Sequence, residues 1–443
     1  MRTVNKTESV IELAREAKRA SGILAQLSTA KKNHLLEVIA QKLQLHQAEI
    51  LRANQQDIEN VRPQVESGEM SDAMFRRLKL DETKLAEIIE GVKQVAALAD
   101  PVGKITLATK LDEGLNLYRV NCPIGVLGVI FESRPDALVQ IAVLAFKSGN
   151  SLLLKGGSEA EHSNRILFNT IQKAIAEAGL PAECLFLLES REDVRTLLKA
   201  EGFVDLIIPR GSNSLVKYIQ ENTNIPVLGH AEGICHVYID RAADMQKALR
   251  ITIDAKTQYA SVCNAAETLL IHRDIAREFL PTVIPALQQK NVEIRCAAKD
   301  ILEFALENVE EASEEDWRTE YNDLILSIKT VASIDEAIAH INRYGSRHTD
   351  AIITEDPSTF EKFFAEVDSA GVFLNASTRF ADGFRYGFGA EVGISTHKLH
   401  PRGPVGLDGL VTYKYKLIGD GHIVADYSGK DAKPFLHTPL KID

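Results

Sequence analysis

Residues 123–131 read Pro-Ile-Gly-Val-Leu-Gly-Val-Ile-Phe, an almost uninterrupted apolar run of strand length. Short continuous runs of this kind predict strands buried on both faces, which is typical of a parallel sheet covered by helices. Comparable runs recur along the chain between amphipathic segments of helix length, at residues 151–155, 184–188, 204–208, 235–240, 267–272, 324–331, 351–354 and 371–375. They form two successive series, which predict two α/β units side by side with a cleft between them.

The segments before this series are of a different character. Residues 8–98 carry apolar side chains at three-to-four spacing among charges, which predicts a helical N-terminal layer. Residues 104–111 and 115–121 alternate in polarity on either side of Asp112-Glu113-Gly114, a pattern that predicts a β-hairpin. Such a hairpin could extend from the body of the protein as an arm.

Two later segments also depart from the strand-helix pattern. Residues 303–320 are strongly acidic, and we interpret them as a solvated insertion. The C-terminal tail carries β-like runs at residues 414–418 and 422–427. We expect these runs to form strands near the predicted hairpin.

The composition limits the classes of function. A chain of 443 residues, with 45% hydrophobic and 26% charged side chains, can form two or more domains. The formal charge of −11 argues against nucleic-acid binding, and it means that local arginines and lysines must capture any acidic substrate. No stretch approaches the roughly 18 to 20 apolar residues of a membrane span, and the polar start resembles no signal peptide. We therefore expect a soluble, cytoplasmic protein.

The cysteines lie at positions 122, 184, 235, 263 and 296, without a C-x-x-C pair. This spacing indicates neither a disulfide framework nor a zinc site. Cys263 differs from the others because it lies in a small, polar stretch, residues 258–266, directly before a predicted strand. A free cysteine is more often a small buried hydrophobe than a nucleophile, so its role depends on its context.

Two strand-to-helix turns have the geometry that binds phosphate. Residues 206–212 run from a strand through Gly211 to a helix start at Ser212, and residues 155–158 read Lys-Gly-Gly-Ser at the end of another strand. Such turns direct backbone N–H groups toward an anion. Each turn could equally be an ordinary connection in which the serine caps a helix.

A metal site is not expected. His397 and His400 have i, i+3 spacing, but Pro401 and Gly403 beside them disfavour a helix that would place both imidazoles on one face. We interpret these histidines as loop residues.

Taken in order, the segments from about Lys104 to Tyr413 resemble the aldehyde dehydrogenase superfamily. The run at 123–130 is similar to the strand before the family's Trp-Asn loop, Leu154-Lys155 to its Leu-Lys-Pro turn, and Gly211-Ser212 to its pyrophosphate turn. Cys263 falls where the family has its nucleophile. The resemblance implies an α/β fold with two Rossmann-like parallel-sheet domains and a small β oligomerisation arm.

The same resemblance implies domain boundaries. The cofactor-binding domain comprises residues 1–103 and 122–230, the catalytic domain residues 231–413, and the arm residues 104–121 and 414–443. Because the arm exposes strand edges that need covering, it implies a homo-oligomer, a dimer or a tetramer.

Four strings are similar to one branch of the superfamily, whose members reduce an acyl phosphate: Phe131-Glu132-Ser133-Arg134-Pro135, Lys155-Gly156-Gly157-Ser158-Glu159-Ala160, Asn375-Ala376-Ser377-Thr378-Arg379-Phe380-Ala381-Asp382-Gly383 and His400-Pro401-Arg402-Gly403-Pro404. This similarity implies that NADPH reduces L-glutamyl 5-phosphate to L-glutamate 5-semialdehyde in proline biosynthesis, with release of phosphate. A glutamate 5-kinase, which would supply the acyl phosphate, is a further implied partner.

The resemblance also implies roles for individual residues. Cys263 is the expected nucleophile. The expected cofactor contacts are Lys155, Ser158, Gly211, Ser212 and Glu320, where Glu320 matches the glutamate of the family's Glu-Ile-Phe-Gly-Pro motif. The expected substrate contacts are Arg134, Asn375, Ser377 and Arg379, since arginine binds carboxylate and phosphate bidentately. Ordinary surface ion pairs are the alternative for the arginines. Ser158 replaces a glutamate of NAD-specific relatives, which implies a preference for NADPH.

Two departures from the superfamily bear on the reaction. The glutamate that activates water for thioester hydrolysis falls at His230 in a gapless alignment, or at Glu232 if the alignment slips by two. Loss of that base suits an acyl-phosphate reductase, because hydrolysis of the thioester would consume the intermediate that such an enzyme must reduce. The oxyanion-hole asparagine has no clear counterpart, because the nearest positions hold Ser133 and Arg134. A hydrolytic aldehyde dehydrogenase and a catalytically silent structural or binding protein remain as alternatives.

Overall fold

The computed structural model describes residues 9–70, 72–132, 134–229 and 232–442. Its α-helices are α1 (Val10–Leu24), α2 (Thr29–Leu45), α3 (Gln47–Glu66), α4 (Asp72–Leu78), α5 (Glu82–Ala97), α6 (Pro135–Lys147), α7 (Glu161–Glu177), α8 (Arg191–Leu197), α9 (Asn213–Glu221), α10 (Met245–Thr257), α11 (Arg273–Gln288), α12 (Ala298–Phe304), α13 (Ile334–Tyr344) and α14 (Pro357–Glu366). Its strands are β1 (Ile105–Asp112), β2 (Leu115–Pro123), β3 (Val126–Phe131), β4 (Ser151–Lys155), β5 (Leu185–Leu187), β6 (Leu206–Arg210), β7 (Cys235–Ile239), β8 (Ala266–His272), β9 (Glu293–Cys296), β10 (Glu310–Glu311), β11 (Ile325–Val331), β12 (Thr349–Ile353), β13 (Gly371–Leu374), β14 (Ile394–Ser395), β15 (Gly403–Pro404), β16 (Val411–Ile418) and β17 (Thr438–Pro439).

The first sheet is parallel and has the order β5-β4-β3-β6 in the described part of the chain. Every residue of β3 is buried, as its unbroken apolar sequence predicts, because helices cover both faces of the sheet. One face packs against α2, α5, α6 and α7, and the other against α1 and α8. Strand β6 begins two residues later than the sequence run at 204–208, since Val204 follows a turn and belongs to an isolated bridge.

The second sheet is also parallel, with the order β10-β9-β11-β8-β7-β12-β13 among the residues that the structure describes. Strand β7 lies next to β8 and β12, so it occupies the interior of this sheet. Two hydrophobic cores cover its faces, one with α10 and α11, the other with α13 and α14. The two predicted α/β units are therefore present as two separate parallel sheets.

The chain returns to the first unit after the second sheet is complete. Val392, Val405, Leu407 and Leu410 are buried in the same core as α2, α5 and α6. These residues lie within the range 231–413 that the resemblance gives to the catalytic domain. Packing therefore ties the last part of that range to the first sheet.

The predicted hairpin is confirmed. Strands β1 and β2 are antiparallel, and Gly114, which has a φ of 74°, lies in the turn between them. Strand β16 pairs with β2 along its whole length, from Val411 opposite Pro123 to Ile418 opposite Asn116. With β17 on the far side of β1, this gives a separate antiparallel sheet, which we call the arm sheet.

The helical N-terminal layer is also confirmed. Helices α1, α2 and α5 begin at side-chain caps, in which Ser9, Ser28 and Asp81 accept hydrogen bonds from N–H groups of the first turn. Their apolar faces are buried against the first sheet and its helices. Among the described helices, none is both long enough and apolar enough to cross a membrane.

The interpretation of residues 303–320 as a solvated insertion is wrong in part. Many of its acidic side chains are exposed, but β10 extends the second sheet and Trp317 is buried. Asp316 explains why this segment docks, since its carboxylate accepts hydrogen bonds from Arg295 and Tyr321, both at 2.7 Å. These partners hold the pKa of Asp316 well below its usual range, although burial acts in the opposite direction.

The prediction of a strand at 422–427 is wrong. Residues Val424–Tyr427 form a 3-10 turn that is mostly exposed. This turn attaches to the hairpin through a side chain, since the Tyr427 hydroxyl donates to Asp112 at 2.7 Å. The run at 414–418 does form a strand, as expected.

Candidate active site

Cys263 lies in the tight turn between α10 and β8, and it is partly exposed. Neighbouring elements hold the backbone of this turn. The Asn264 amide donates to the Ala381 carbonyl at 2.9 Å, the Cys235 thiol donates to the Cys263 carbonyl at 3.2 Å, and Arg77 donates to the Ser261 carbonyl. The thiol therefore projects from a backbone that is fixed on several sides, as a positioned nucleophile requires.

Gly233 approaches the nucleophile closely. A Cβ atom built on Gly233 would lie 2.2 Å from the Cys263 carbonyl oxygen and 2.4 Å from its Cα and Cβ atoms. Only glycine can occupy this place without moving the turn. This contact belongs to the stretch from His230 to Gly233 in which the sequence departs from its superfamily.

The other thiols are unsuited to nucleophilic attack. Burial raises the pKa of Cys184 and of Cys296 to about 12, and it also raises the pKa of Cys235. Cys122 is partly exposed, but it lies on β2 of the arm sheet. Cys263 is a partly exposed thiol just before β8, and its role as the nucleophile stays a prediction.

The predicted pyrophosphate turn joins β6 to α9. The Ser212 N–H donates to the Glu132 carboxylate at 2.7 Å, and a Cβ on Gly211 would lie 2.4 Å from the same oxygen. A carboxylate thus occupies the place in front of these N–H groups, which is the place a phosphate would take at a helix N-terminus. The donor set of this turn therefore fits an anionic cofactor group.

Glu320 lies beside the same turn. The side chain of Asn213, the first residue of α9, donates to the Glu320 carboxylate at 3.3 Å. Two regions that the resemblance assigns to the cofactor are thereby brought together from the two α/β units.

Lys155 and Ser158 line a pocket at the carboxyl end of β4, together with Gly156, Gly157, Glu161, Asn164, Arg165, Leu187, Leu188 and Glu189. Lys155 donates to the Gly156 carbonyl, and burial lowers the pKa of its ammonium group. Ser158 also lines a neighbouring cavity, which Asp57, Met74 and His162 border. The pocket has the polar lining that an adenosine ribose needs.

Arg379 is buried near the turn that carries Cys263. Its Nε donates at 3.0 Å to Gln258, which caps α10 five residues before Cys263. Burial and the neighbouring Arg385 lower the pKa of Arg379, while the charge of Cys263 acts in the opposite direction. Ser377 is buried next to it and accepts from the Arg379 N–H at 3.3 Å.

Arg134 is exposed and directed toward α6. It donates to Asp136 at 3.1 Å, and the charge of Asp136 raises the pKa of the Arg134 guanidinium. The Asn375 side chain is hydrogen-bonded to the backbone of Thr354. Its oxygen accepts from the Thr354 N–H, and its amide group donates to the Thr354 carbonyl. It adopts a left-handed conformation, with a φ of 49°, and turns the chain toward Ser377 and Arg379.

Several residues of the site have no motif that would have identified them. Arg210, at the end of β6, is largely buried and paired with Glu391. Lys256 and Glu267 form a buried ion pair of 2.6 Å, directly before and after the nucleophile turn. An apolar stretch that contains an isolated charge is the signal that could have indicated Glu267, since such a charge requires a partner.

Some expectations fall on residues outside the description. Ser133 and His230 are among them, so the structure does not address their expected roles. Glu232, the alternative to His230, is exposed beside Gly233. Among the described residues, no group of three or more His, Cys, Asp or Glu could hold a metal ion, and His397 and His400 lie in an irregular loop.

Fold and site together define a class of protein. The chain combines two parallel α/β sheets, a turn suited to an anion that contacts Glu320 across the two units, and a partly exposed cysteine before a strand, as an aldehyde dehydrogenase-type oxidoreductase does. The sequence profile of the Aldehyde dehydrogenase family matches residues 2–300. The fold expected from the sequence is confirmed.

Individual relatives narrow the class. The gamma-glutamyl phosphate reductase of Synechococcus sp. (strain JA-3-3Ab) is 59% identical over 428 residues, covering 96% of this chain and 93% of the relative. That of Trichodesmium erythraeum is 55% identical, covering 97% and 98%. The crystal structure of the Thermotoga maritima gamma-glutamyl phosphate reductase superposes with a TM-score of 0.90 at 41% identity, covering 94% of this chain and all of the other. The chain belongs to the gamma-glutamyl phosphate reductase family.

Proposed function

We propose that this protein reduces L-glutamyl 5-phosphate to L-glutamate 5-semialdehyde through a thioester on Cys263, releasing phosphate, as a step of proline biosynthesis. The observation that carries the proposal is the partly exposed Cys263 on a turn held next to a buried arginine, in a chain 59% identical to a named reductase. NADPH is the cofactor of this reaction.

The chain's own residues perform the acyl transfer. The Cys263 thiolate attacks C5 of the substrate, and the C5–O bond to phosphate breaks with its electron pair leaving on the phosphate. The Cys263 backbone N–H stabilises the oxyanion that forms on C5. When bound, NADPH supplies the hydride that converts the acyl group to the aldehyde level. Cleavage of the C–S bond then regenerates the thiolate and releases the semialdehyde.

The cofactor residues are those that the sequence indicates. Gly211 and Ser212 bind the pyrophosphate after the Glu132 carboxylate has moved away from their turn. Glu320 binds the ribose near the nicotinamide, and Lys155 and Ser158 bind the adenosine ribose with its 2′-phosphate. A serine at 158 leaves room for that phosphate and adds no negative charge.

Substrate recognition is assigned to Arg379, Ser377 and Arg134, with Asn375 acting through the loop it turns. A buried arginine holds an anionic group strongly because little water competes for its donors. Asn375 positions Ser377 and Arg379 by bonding Thr354.

Phosphate dependence in the oxidative direction tests this function. With semialdehyde and NADP, steady-state NADPH formation is expected to require phosphate, because phosphate rather than water cleaves the thioester of the acyl enzyme. Without phosphate, a burst of at most about one equivalent per active site is expected. Sustained turnover without phosphate or arsenate would instead indicate a hydrolytic dehydrogenase, with Glu232 or His230 as the base.

We also propose domain boundaries and an oligomeric state for this protein. We assign residues 1–103 and 122–230 to the cofactor domain, 231–413 to the catalytic domain and 104–121 with 414–443 to the arm, and residues around 392–410 pack on the cofactor domain. The arm sheet exposes Tyr415, Leu417 and Ile418, which a second subunit would cover. Sedimentation at micromolar concentration should therefore show a dimer or tetramer, and a monomer would contradict this assembly.

We also propose a cellular location and a partner enzyme. All the cysteines are free thiols, as is usual in the reducing cytoplasm, where we place the protein. A glutamate 5-kinase that delivers the labile acyl phosphate is the proposed upstream partner.

A further inference from the structure

Arg210 is an arginine that the mechanism above leaves unused. It is the last residue of β6 and directly precedes the Gly211-Ser212 turn. Its Nη1 donates to the Glu391 carbonyl at 2.9 Å, and its Nη2 lies 3.8 Å from the Glu391 carboxylate. The guanidinium is therefore held at the cofactor side of the cleft by one residue.

A short chain of contacts connects Arg210 to the nucleophile. The Glu391 carboxylate also accepts from the Gly383 N–H at 2.9 Å, and two residues earlier Ala381 accepts from Asn264, the neighbour of Cys263. Burial and the adjacent Arg134 lower the pKa of Arg210, while the charges of Glu391, Asp136 and Cys263 oppose the decrease. Arg210 thus lies within electrostatic reach of the thiol.

Arg379 lies near the Cys263 turn on a different segment, the loop that follows β13. It is anchored to Gln258 at the end of α10, and Arg385 donates to its carbonyl at 2.9 Å. The cleft therefore presents one buried arginine next to the cofactor turn and another on the catalytic loop.

The substrate has two anionic ends that these arginines can distinguish. C5 must lie between the Cys263 thiol and the nicotinamide, so the phosphate bonded to C5 before it departs lies on the cofactor side of Cys263. In an extended glutamyl chain, the α-carboxylate carbon lies about 5 Å from C5, on the side away from the cofactor. We infer that Arg210 binds the phosphate of the acyl phosphate and that Arg379 binds its α-carboxylate. This assignment rests on the proposed function.

The chemistry of the step favours an arginine at this place. As the C5–O bond breaks, negative charge grows on the departing phosphate, and a bidentate guanidinium neutralises it. In the reverse direction the same group holds inorganic phosphate for attack on the thioester. Arg134 is less suited, since its side chain is more exposed than that of Arg210 and water competes for its donors.

Kinetics of the oxidative reaction test the assignment. In Arg210→Lys, which keeps the charge but loses the bidentate fork, the KM for phosphate should rise at least tenfold. The KM for semialdehyde and the burst without phosphate should stay within about twofold. Arg379→Lys should show the converse, a raised KM for semialdehyde with little change for phosphate. Arg195→Lys, a conservative change at an exposed ion pair on α8, is the matched control.

The outcomes separate the inference from the proposed function. If the unmodified enzyme turns over without phosphate, the proposed function fails. If it requires phosphate but Arg210→Lys leaves the phosphate KM unchanged, the function stands and the role of Arg210 is refuted.

A second measurement needs neither a variant nor turnover. Phenylglyoxal labels arginines at rates that fall with burial, and mass spectrometry of the digested protein over a long time course follows the slow labelling of Arg210 and Arg379 separately. Inorganic phosphate should slow the labelling of Arg210, and L-glutamate should slow that of Arg379. Protection of Arg134 or Arg379 by phosphate, with Arg210 labelled at its original rate, would overturn the assignment even if Arg210→Lys does not fold.

Discussion

The Asn213 side chain donates to the Glu320 carboxylate at 3.3 Å, although 107 positions separate the two residues in sequence. One of them starts the helix after the pyrophosphate turn, and the other belongs to the segment that closes the second sheet. Their contact joins the two α/β units at the proposed cofactor site. A cofactor bound there would contact both units at once, so its affinity should report on how they are oriented.

Thiol reactivity should single out Cys263. At pH 8, iodoacetamide is expected to modify Cys263 with complete loss of activity, while Cys184 and Cys296, with pKa values of about 12, stay unmodified. Peptide mass spectrometry measures each site. Cys263→Ala should lack both burst and turnover, and Cys122→Ala, in the arm sheet, should keep both. Activity in Cys263→Ala would remove the basis of the mechanism.

A methyl group at Gly233 should inactivate the enzyme without unfolding it. Gly233→Ala places a Cβ about where the Cys263 backbone now lies, so the turn must shift. A displacement near 1 Å at a reacting group costs roughly 100-fold in rate. The matched control is Gly91→Ala in helix α5, where no atom lies within 4 Å of the added Cβ. Equal kcat in both variants would show that the approach of Gly233 is not required.

Cofactor preference should depend on Ser158. Ser158→Glu adds a negative charge to the pocket that Lys155 and Arg165 also line, so it should repel the 2′-phosphate of NADPH. We expect the ratio of kcat/KM for NADPH over NADH to fall about tenfold, or about 1.4 kcal/mol. Ser158→Ala should leave the ratio nearly unchanged. Equal efficiency with both cofactors in the unmodified enzyme would contradict the preference itself.

The buried pair of Lys256 and Glu267 should be required for stability only as a pair. Burial raises the pKa of Glu267 and lowers that of Lys256, while their mutual attraction opposes both shifts. Lys256→Met leaves an isolated buried carboxylate and should cost about 3 to 5 kcal/mol in urea unfolding. The double variant Lys256→Met/Glu267→Leu should recover most of this loss. A double variant no more stable than the single one would show that the charges matter beyond their pairing.

Stability should decrease in mild acid because of His340. Its imidazole is packed against His236, Trp317 and Tyr344, and burial lowers its pKa to about 2. Below pH 6.5 the unfolded chain therefore binds a proton that the folded protein does not. At pH 5 this difference lowers the free energy of unfolding by about 2 kcal/mol.

The variant His340→Gln isolates this effect, since it is neutral at every pH and retains an acceptor for Lys329. Its loss of stability between pH 6.5 and 5 should be smaller than that of the unmodified protein by about the same 2 kcal/mol. Parallel stability curves for the two proteins would assign the acid sensitivity to other groups.

Most of the fold could be predicted from local pattern. Buried parallel strands such as β3 and β4 are continuous apolar runs, and Asp112-Glu113-Gly114 marks the hairpin turn. The strand expected at 422–427 was wrong because alternation of apolar residues does not require a neighbouring strand. Residues 310–311 were missed as a strand since edge strands are short and exposed, and acidic composition alone suggests a loop.

Candidate site residues could be identified from the sequence where the local backbone conformation determines their proposed role. Gly211 and Ser212 belong to a turn whose geometry is local, and Cys263 lies next to a strand end. Arg210 and Gly233 depend instead on which distant segments approach them, Glu391 in one case and the Cys263 turn in the other. Asn375 lies in a recognisable motif, but its side chain bonds Thr354. A motif indicates where a site lies and does not indicate what each of its side chains contacts.

The arm sheet has a consequence for how the chain is made. Strands β1 and β2 leave the ribosome early, but their partner β16 and the tail come last, and Tyr427 bonds Asp112 across 315 positions. At roughly 5 to 20 residues per second, that interval lasts roughly 15 to 60 s. During this time the nascent hairpin has an uncovered edge next to other growing chains on the same message. Substitutions that make this edge more apolar are therefore expected to favour premature pairing between neighbouring polysomal chains, even where they leave the finished sheet intact.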